Sequence, residues 1–157
     1  MNRSYSSVMS QDDSTGGFLE YQPNNEDLFR GIILFGRNVA SYKFALGKSI
    51  LELAATGKEK ISLAELSVPF SKHICEHLLI EDKQITSRSS SFLDECRKFN
   101  SGEISAESLY ATTESLGFVN VIDAFHRVGS DDISRRFFID ERKSKIMGIV
   151  LTPEIHE

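Results

Sequence analysis

The chain has 157 residues, of which 40% are hydrophobic and eleven are phenylalanine, so it is long enough for one domain with a substantial core. Its formal net charge of −5 excludes a surface that attracts nucleic acid everywhere, and any contact with DNA therefore requires a local basic patch. Two isolated cysteines exclude a disulfide framework, and no apolar run approaches the ~20 residues that span a bilayer. These features predict a cytoplasmic protein without a membrane segment.

The N-terminal segment differs in composition from the rest. Residues 1–27 are rich in Ser, Gln, Asp, Gly and Asn, which is typical of a flexible polar arm, and they contain no signal-peptide run. The apolar stretch 28–35 follows, and its periodicity leaves a short strand and a helical turn equally open. We expect residues 28–157 to form a single domain, mainly α (α+β), in which a helical bundle ends in a C-terminal β-hairpin.

The first predicted helix begins at Asn38, a good N-cap, and runs to Thr56, with Gly57 as the residue that ends it. Gly47 lies inside this helix at a cost of ~1 kcal/mol relative to Ala, for which a close helix crossing is the interpretation. Apolar residues recur at steps of three and four and predict one buried stripe, formed by Val39, Tyr42, Leu46, Ile50 and Leu53.

Four further helices are predicted. Ser62 and Glu65 form a capping box at the start of the second, and Pro69 predicts a kink or a break within it, after which Phe70, Ile74 and Leu78 continue one apolar face. The remaining three cover 91–99, 105–116 and 119–128, the middle one capped by Ser105 and stopped by Gly117.

The composition changes after residue 129. The stretches 136–139 and 146–151 are rich in aromatic and β-branched residues, and a charged segment, 140–145, separates them. This arrangement predicts a β-hairpin with a charged tip.

One short pattern has the form of a metal site. His73, Glu76 and His77 match the H-x-x-E-H run of inverted zinc peptidases, in which two histidines four residues apart share a metal and the glutamate acts as a base. Both histidines also border the apolar stripe of Phe70, where structural histidines are common, and this interpretation is preferred. Nucleophile elbows, phosphate-binding loops and dinucleotide fingerprints do not occur in the sequence.

The order of the last elements indicates a DNA-binding fold. Three helices followed by a hairpin occur in this order in a winged helix-turn-helix, whose third helix enters the major groove while the wing contacts the backbone. On the third helix we expect exposed side chains at Asn120, Asp123, His126 and Arg127. The residues predicted to contact phosphate are Arg127, Arg135, Arg136, Arg142, Lys143 and Lys145.

A small α+β domain with a merely solvated hairpin tip is the alternative. Asp131, Asp132, Asp140 and Glu141 interrupt the basic residues and favour it.

Two runs resemble a known group of proteins. They are LFRGIILFGRNVASYKFAL (28–46) and NVIDAFH (120–126), the latter followed by RFF (136–138). Together they resemble the N-terminal half of bacterial proteins that end in an HNH endonuclease domain, and the resemblance covers residues 28–155. It implies a role in DNA processing, in a restriction or phage-defence setting.

The resemblance carries no catalytic residue to this chain. An HNH unit needs a general-base His, an Asn that positions it and metal ligands, whereas the four histidines here lie in other contexts and no Cys-x-x-Cys occurs. The chain is therefore interpreted as a non-catalytic N-terminal domain that engages DNA or docks a nuclease domain or subunit. It would hold no cofactor itself, the divalent metal belonging to the nuclease part. The alternatives are a protein-interaction module without DNA contact and a zinc peptidase.

Overall fold

The computed structural model describes residues 22–35, 40–81 and 90–157. Its helices are α1 (Asn25–Phe35), α2 (Ala40–Ala54), α3 (Leu63–Glu81), α4 (Ser91–Asn100), α5 (Ala106–Thr112) and α6 (Val121–Ala124). Its strands are β1 (Lys60–Ser62), β2 (Arg127–Val128), β3 (Asp131–Asp132), β4 (Phe138–Glu141) and β5 (Gly148–Leu151). The mainly helical α+β prediction is confirmed. Most of the predicted arm, and the cap at Asn38, lie outside the described residues.

The stretch 28–35 belongs to a helix. Helix α1 begins at Asn25, so it includes the last three residues of the predicted arm. Asn24 caps it: the Asn24 Oδ1 atom accepts a hydrogen bond of 2.8 Å from the Asp27 backbone amide. Glu26 and Asp27 add negative charge to the first turn, where the helix dipole favours it. Local capping therefore sets this boundary.

Helix α2 crosses α1 at Gly47. A Cβ atom on Gly47 would lie 3.2 Å from both Ile33 Cδ1 and Phe29 Cζ, so the absence of a side chain lets the two helices approach closely. The close crossing is confirmed. Gly57 follows the helix with φ of +82°, in the left-handed conformation expected of the residue that ends it.

Helix α3 starts with the predicted capping box. The Ser62 amide donates to Glu65 Oε2 over 3.0 Å, and the Glu65 amide donates to Ser62 Oγ over 3.2 Å. The helix continues through Pro69 without a break. Its buried face packs Phe70 against the ring of Phe118, 4.7 Å away between centroids, and tertiary packing of this kind offsets the cost of the proline.

The last part of the helical prediction is wrong. Helix α5 begins after its Ser105 cap and passes into a π-helical turn, Thr113–Gly117. The predicted helix 119–128, however, reduces to the four residues of α6, because the chain turns into β2 and reverses at Gly129, where φ is +66°. One helical turn is too short to serve as the recognition helix of a winged helix-turn-helix.

The C-terminal hairpin is confirmed, and it belongs to a larger sheet. Strands β4 and β5 are antiparallel, and β1, which the sequence did not predict, adds to β5 in the order β1-β5-β4. Gly148 faces Ser62 at this junction, and a Cβ atom there would lie 1.9 Å from the Ile61 carbonyl oxygen. Strands β2 and β3 form a separate two-stranded ribbon.

Candidate nucleic-acid interface

The basic residues predicted to contact phosphate have different environments. Arg135 forms contacts within the fold. Its Nη1 atom donates to Asn25 Oδ1 over 2.5 Å, and the side-chain Nδ2 atom of Asn25 donates to Glu157 Oε2 over 2.7 Å. This chain of contacts ties α1 to the C-terminal segment. Arg135 is therefore a structural residue.

Arg142 is also held internally. Its Nη2 atom lies 2.8 Å from Asp123 Oδ1 and 2.7 Å from Asp140 Oδ2, and only 23% of its side chain is exposed. The same guanidinium lowers the pKa of Asp140, chiefly through their hydrogen bond. Arg142 fastens the hairpin tip to α6, and its charge is largely neutralised there.

The two lysines of the hairpin tip are exposed. Within residues 22–35, 40–81 and 90–157, neither Lys143 nor Lys145 forms an ion pair. They are the part of the predicted hairpin patch whose charge is available to solvent.

Arg127 and Arg136 share one carboxylate. Asp132 lies 3.6 Å from Arg127 Nε and 3.3 Å from Arg136 Nη2, and the two arginine side chains are 60% and 55% exposed. One carboxylate neutralises only one of two guanidinium groups. This pair keeps an excess of positive charge.

A buried lysine lies behind this pair. Lys43, on α2, is 2% exposed, and its Nζ atom donates to the Arg127 carbonyl oxygen over 2.5 Å. Burial first, and then the charge of Arg127, lower the pKa of Lys43. We refer to Lys43, Arg127 and Arg136 as the cation cluster. The sequence analysis did not identify Lys43. Its burial could have been predicted, because it lies three residues before Leu46 and seven before Ile50, on the apolar face of α2.

His126 is buried, and its predicted exposure is wrong. It is 2% exposed, and its Nε2 atom accepts a hydrogen bond of 2.9 Å from the Phe137 amide. Burial first, and then the charge of Arg136, lower the pKa of His126 to about 4. The prediction placed His126 on the outer face of a helix that ends at Ala124. Asn120, Asp123 and Arg127 are exposed as expected.

The H-x-x-E-H histidine on α3 lies among carboxylates. His73 is buried, its Nε2 atom is 2.7 Å from Glu52 Oε1, and its Nδ1 atom is 3.6 Å from Glu76 Oε2. Among the residues that the structure describes, no group of three or more His, Cys, Asp or Glu side chains is placed to hold one metal ion. His73, Glu76 and His77 are thus not brought together as a metal-binding set.

An open groove of about 610 Å³ lies between the helices, on a surface that the sequence did not predict. Charged side chains border it: Glu52, Lys72 and Glu76. Most of its wall is apolar, with contributions from α2 to α5, namely Leu53, Val68, Leu79, Phe99, Leu109 and Tyr110.

Comparison with known proteins identifies no relative. A scan against protein-family models, a search of curated proteins and a search of solved structures each found no match to this chain. None of the described helices combines the length and apolar character needed to cross a bilayer. The geometry of the described residues therefore carries the functional argument.

Proposed function

We propose that this chain is a non-catalytic domain that engages the phosphate backbone of DNA, as part of an HNH-endonuclease-like protein in a restriction or phage-defence setting. The observation that carries the proposal is the cation cluster, in which the exposed Arg127 and Arg136 share a single carboxylate, Asp132, and the buried Lys43 donates to the Arg127 carbonyl oxygen. A local excess of positive charge on a chain of net charge −5 favours one point of contact with a polyanion.

The exposed lysines of the hairpin tip extend the proposed contact. Lys143 and Lys145 follow the end of β4 at Glu141, whereas Arg136 precedes its start at Phe138, so the two sets of cations lie at opposite ends of this strand. Contacts of this type position a protein on DNA without specifying sequence. The proposal places the domain in the cytoplasm, where bacterial DNA lies, and assigns bond cleavage to a separate nuclease part with its own divalent metal.

The direct test is the salt dependence of binding to a fluorescent DNA duplex. We expect an affinity that falls steeply with salt, and a log–log slope that decreases by about 2 in the R127A/R136A double variant, because two phosphate contacts are removed. K58A is the matched control, since Lys58 pairs with Glu65 away from the cation cluster. Absent or salt-independent binding by the natural chain contradicts the proposal.

The hairpin tip is tested separately. K143A/K145A should also weaken binding and reduce the slope, whereas R142A should act mainly by loosening the hairpin from Asp123. Thermal unfolding separates the two effects: the Lys variants keep the midpoint of the natural chain, and R142A lowers it. A hairpin-tip variant with unaltered affinity would restrict the contact to the cation cluster.

A protein-interaction module is the second candidate, and the apolar groove favours it. Its lining fits an apolar segment of another protein, and Glu52 and Glu76 on its rim favour basic residues in that segment. A partner held this way should remain bound in high salt and be lost in L79D. L34D provides the matched control, because Leu34 is equally exposed but lies on α1, outside the groove. Loss of the partner in both variants contradicts a groove-specific contact.

A further inference from the structure

The imidazole of His126 has one tautomer consistent with its surroundings. Its Nε2 atom accepts a hydrogen bond of 2.9 Å from the Phe137 amide, and an amide N–H can only donate, so Nε2 bears no proton. Because burial and Arg136 lower the pKa of His126 to about 4, the ring is neutral near pH 7. Its single proton therefore lies on Nδ1.

The Nδ1 proton faces another donor. Nδ1 lies 3.5 Å from Nη1 of Arg136, and a guanidinium group has donors but no acceptor. Two donors cannot hydrogen-bond to each other, but both can donate to an acceptor atom placed beside them. Within the described part of the chain, no acceptor contacts His126 Nδ1.

Lys43 adds positive charge to the same place. Its ammonium group has three donors, one of which is used by the Arg127 carbonyl, and no carboxylate among the described residues forms an ion pair with it. The carbonyl that Lys43 contacts belongs to Arg127, the residue that directly follows His126 in the chain, so the contact holds the ammonium close to the histidine. A buried cation without a carboxylate partner costs free energy that a bound anion would offset.

We propose that His126 Nδ1, the Arg136 guanidinium and the Lys43 ammonium form a subsite for one phosphate oxyanion. The inference deepens the proposed function and rests on it in taking DNA as the source of that phosphate. Oxyanions supply the acceptors that two converging donors require, and charge-assisted hydrogen bonds with Arg136 and Lys43 strengthen their binding. In this arrangement Arg127 contacts the DNA backbone at the edge of the subsite, and Asp132 orients the Arg136 side chain.

The first experiment measures the side-chain nitrogens of His126 by NMR in phosphate-free buffer at pH 7. We expect the neutral Nδ1–H tautomer, and a saturable shift of the Nδ1 resonance on titration with inorganic phosphate. Chloride at equal ionic strength should produce no such shift. An Nε2–H tautomer, or a phosphate response no larger than that of chloride, overturns the proposal.

Two variants test the contributing side chains. R136Q should weaken phosphate binding about tenfold, because it removes a charge-assisted interaction, and the 55% exposure of Arg136 makes it compatible with folding. K58Q, which removes a cation elsewhere, should leave phosphate binding unchanged. An R136Q protein that is folded, with the dispersed NMR spectrum of the natural chain, and that binds phosphate as tightly overturns the assignment.

Duplex DNA separates this inference from the proposed function. A shift at His126 with inorganic phosphate, but no binding of DNA, retains the subsite and contradicts DNA as its source. Salt-sensitive DNA binding that leaves His126 unchanged retains the function and overturns the subsite. Duplexes with 5′-phosphate and 5′-hydroxyl ends distinguish binding of a terminal phosphate from binding of a backbone diester. If the subsite binds a terminal phosphate, only the 5′-phosphate duplex shifts the His126 resonance; if it binds a diester, both duplexes do.

Discussion

His73 and His126 are both buried, but they lie in opposite electrostatic surroundings. His73, in the helical half, contacts the carboxylates of Glu52 and Glu76. His126, beside the sheet, has Arg136 as its side-chain neighbour and accepts a hydrogen bond from the backbone. Carboxylates satisfy the donors of an imidazole, whereas a guanidinium leaves the Nδ1 proton without an acceptor. The histidine in the recognisable motif therefore lies beside acceptors within the fold, whereas His126 lies beside donors.

The aromatic packing around these two regions differs in a parallel way. In the helical half, Phe70 contacts the rings of Phe92 and Phe118, and all three side chains are buried. Near the sheet, Phe125 and Phe138 pack against the His126 ring, with centroids 5.2 Å and 4.6 Å from it. The sheet region thus encloses a polar ring in an aromatic shell, which holds its orientation and removes it from water.

The largest expected loss of stability comes from a substitution in the sheet region. G148A places a Cβ atom against the Ile61 carbonyl oxygen, where backbone must move, so we expect a loss of at least about 3 kcal/mol in the free energy of unfolding. Urea denaturation measures it. G31A is the control, because no atom lies within 4 Å of its new methyl group and Ala favours the helix by up to ~1 kcal/mol. Similar stabilities for the two variants contradict the close strand contact.

The next effect is the pH dependence that His126 confers. Between pH 6.5 and pH 4 the unfolded chain binds a proton at this ring that the folded chain does not, because the folded pKa is about 4. The contribution of His126 to the free energy of unfolding is therefore fully present above pH 6.5. It decreases as the pH falls toward 4, by about 3 kcal/mol for a shift of this size.

Denaturation of H126Q at several pH values isolates this contribution. The difference in stability between the natural chain and H126Q should shrink as the pH falls from 6.5 to 4. H73Q serves as the comparison from the helical half, and it should retain the His126-dependent loss. A constant difference for H126Q across this range would contradict the lowered pKa of His126, which burial and then the charge of Arg136 cause.

A smaller effect is expected at the junction of the two regions. Ser62 ends β1 and caps α3, and S62A removes the side-chain half of the capping box, at a cost of about 1 kcal/mol. Urea denaturation at pH 7 measures it. S101A, which removes a single hydroxyl–carbonyl hydrogen bond after α4, provides an exposed-serine control and should cost less. Equal losses would indicate that the cap contributes nothing specific.

The smallest effect sharpens the contrast between the histidines. E52Q weakens the contact with His73, and because the Glu52 side chain is half exposed, we expect a loss of roughly 0.5 kcal/mol. It should leave phosphate binding unchanged, whereas R136Q should reduce phosphate binding. Phosphate affinity measured by the same NMR titration distinguishes them, and a decrease in E52Q would contradict the independence of the two regions.

Local features were predictable where neighbouring residues determine them. The capping box of Ser62 and Glu65, the left-handed Gly57 and the hairpin all follow from short-range hydrogen bonding and side-chain pattern. The fifth helix was not predictable from its apolar period, because Phe125 and His126 are buried through contacts with the distant residues Phe137 and Phe138. Strand β1 has only three residues, and its partner β5 follows some 90 residues later.

The sequence by itself determined the helical class, the helix caps at Ser62 and Ser105, the left-handed Gly57 and the hairpin, since each depends on residues near one another in the chain. Only the tertiary structure decided which charges are neutralised and which remain available. Arg135 and Arg142 find partners far along the chain, while Lys43 contacts the Arg127 carbonyl and Arg136 lies beside His126. Electrostatic character depends on distance in space, and the folded chain alone sets that distance.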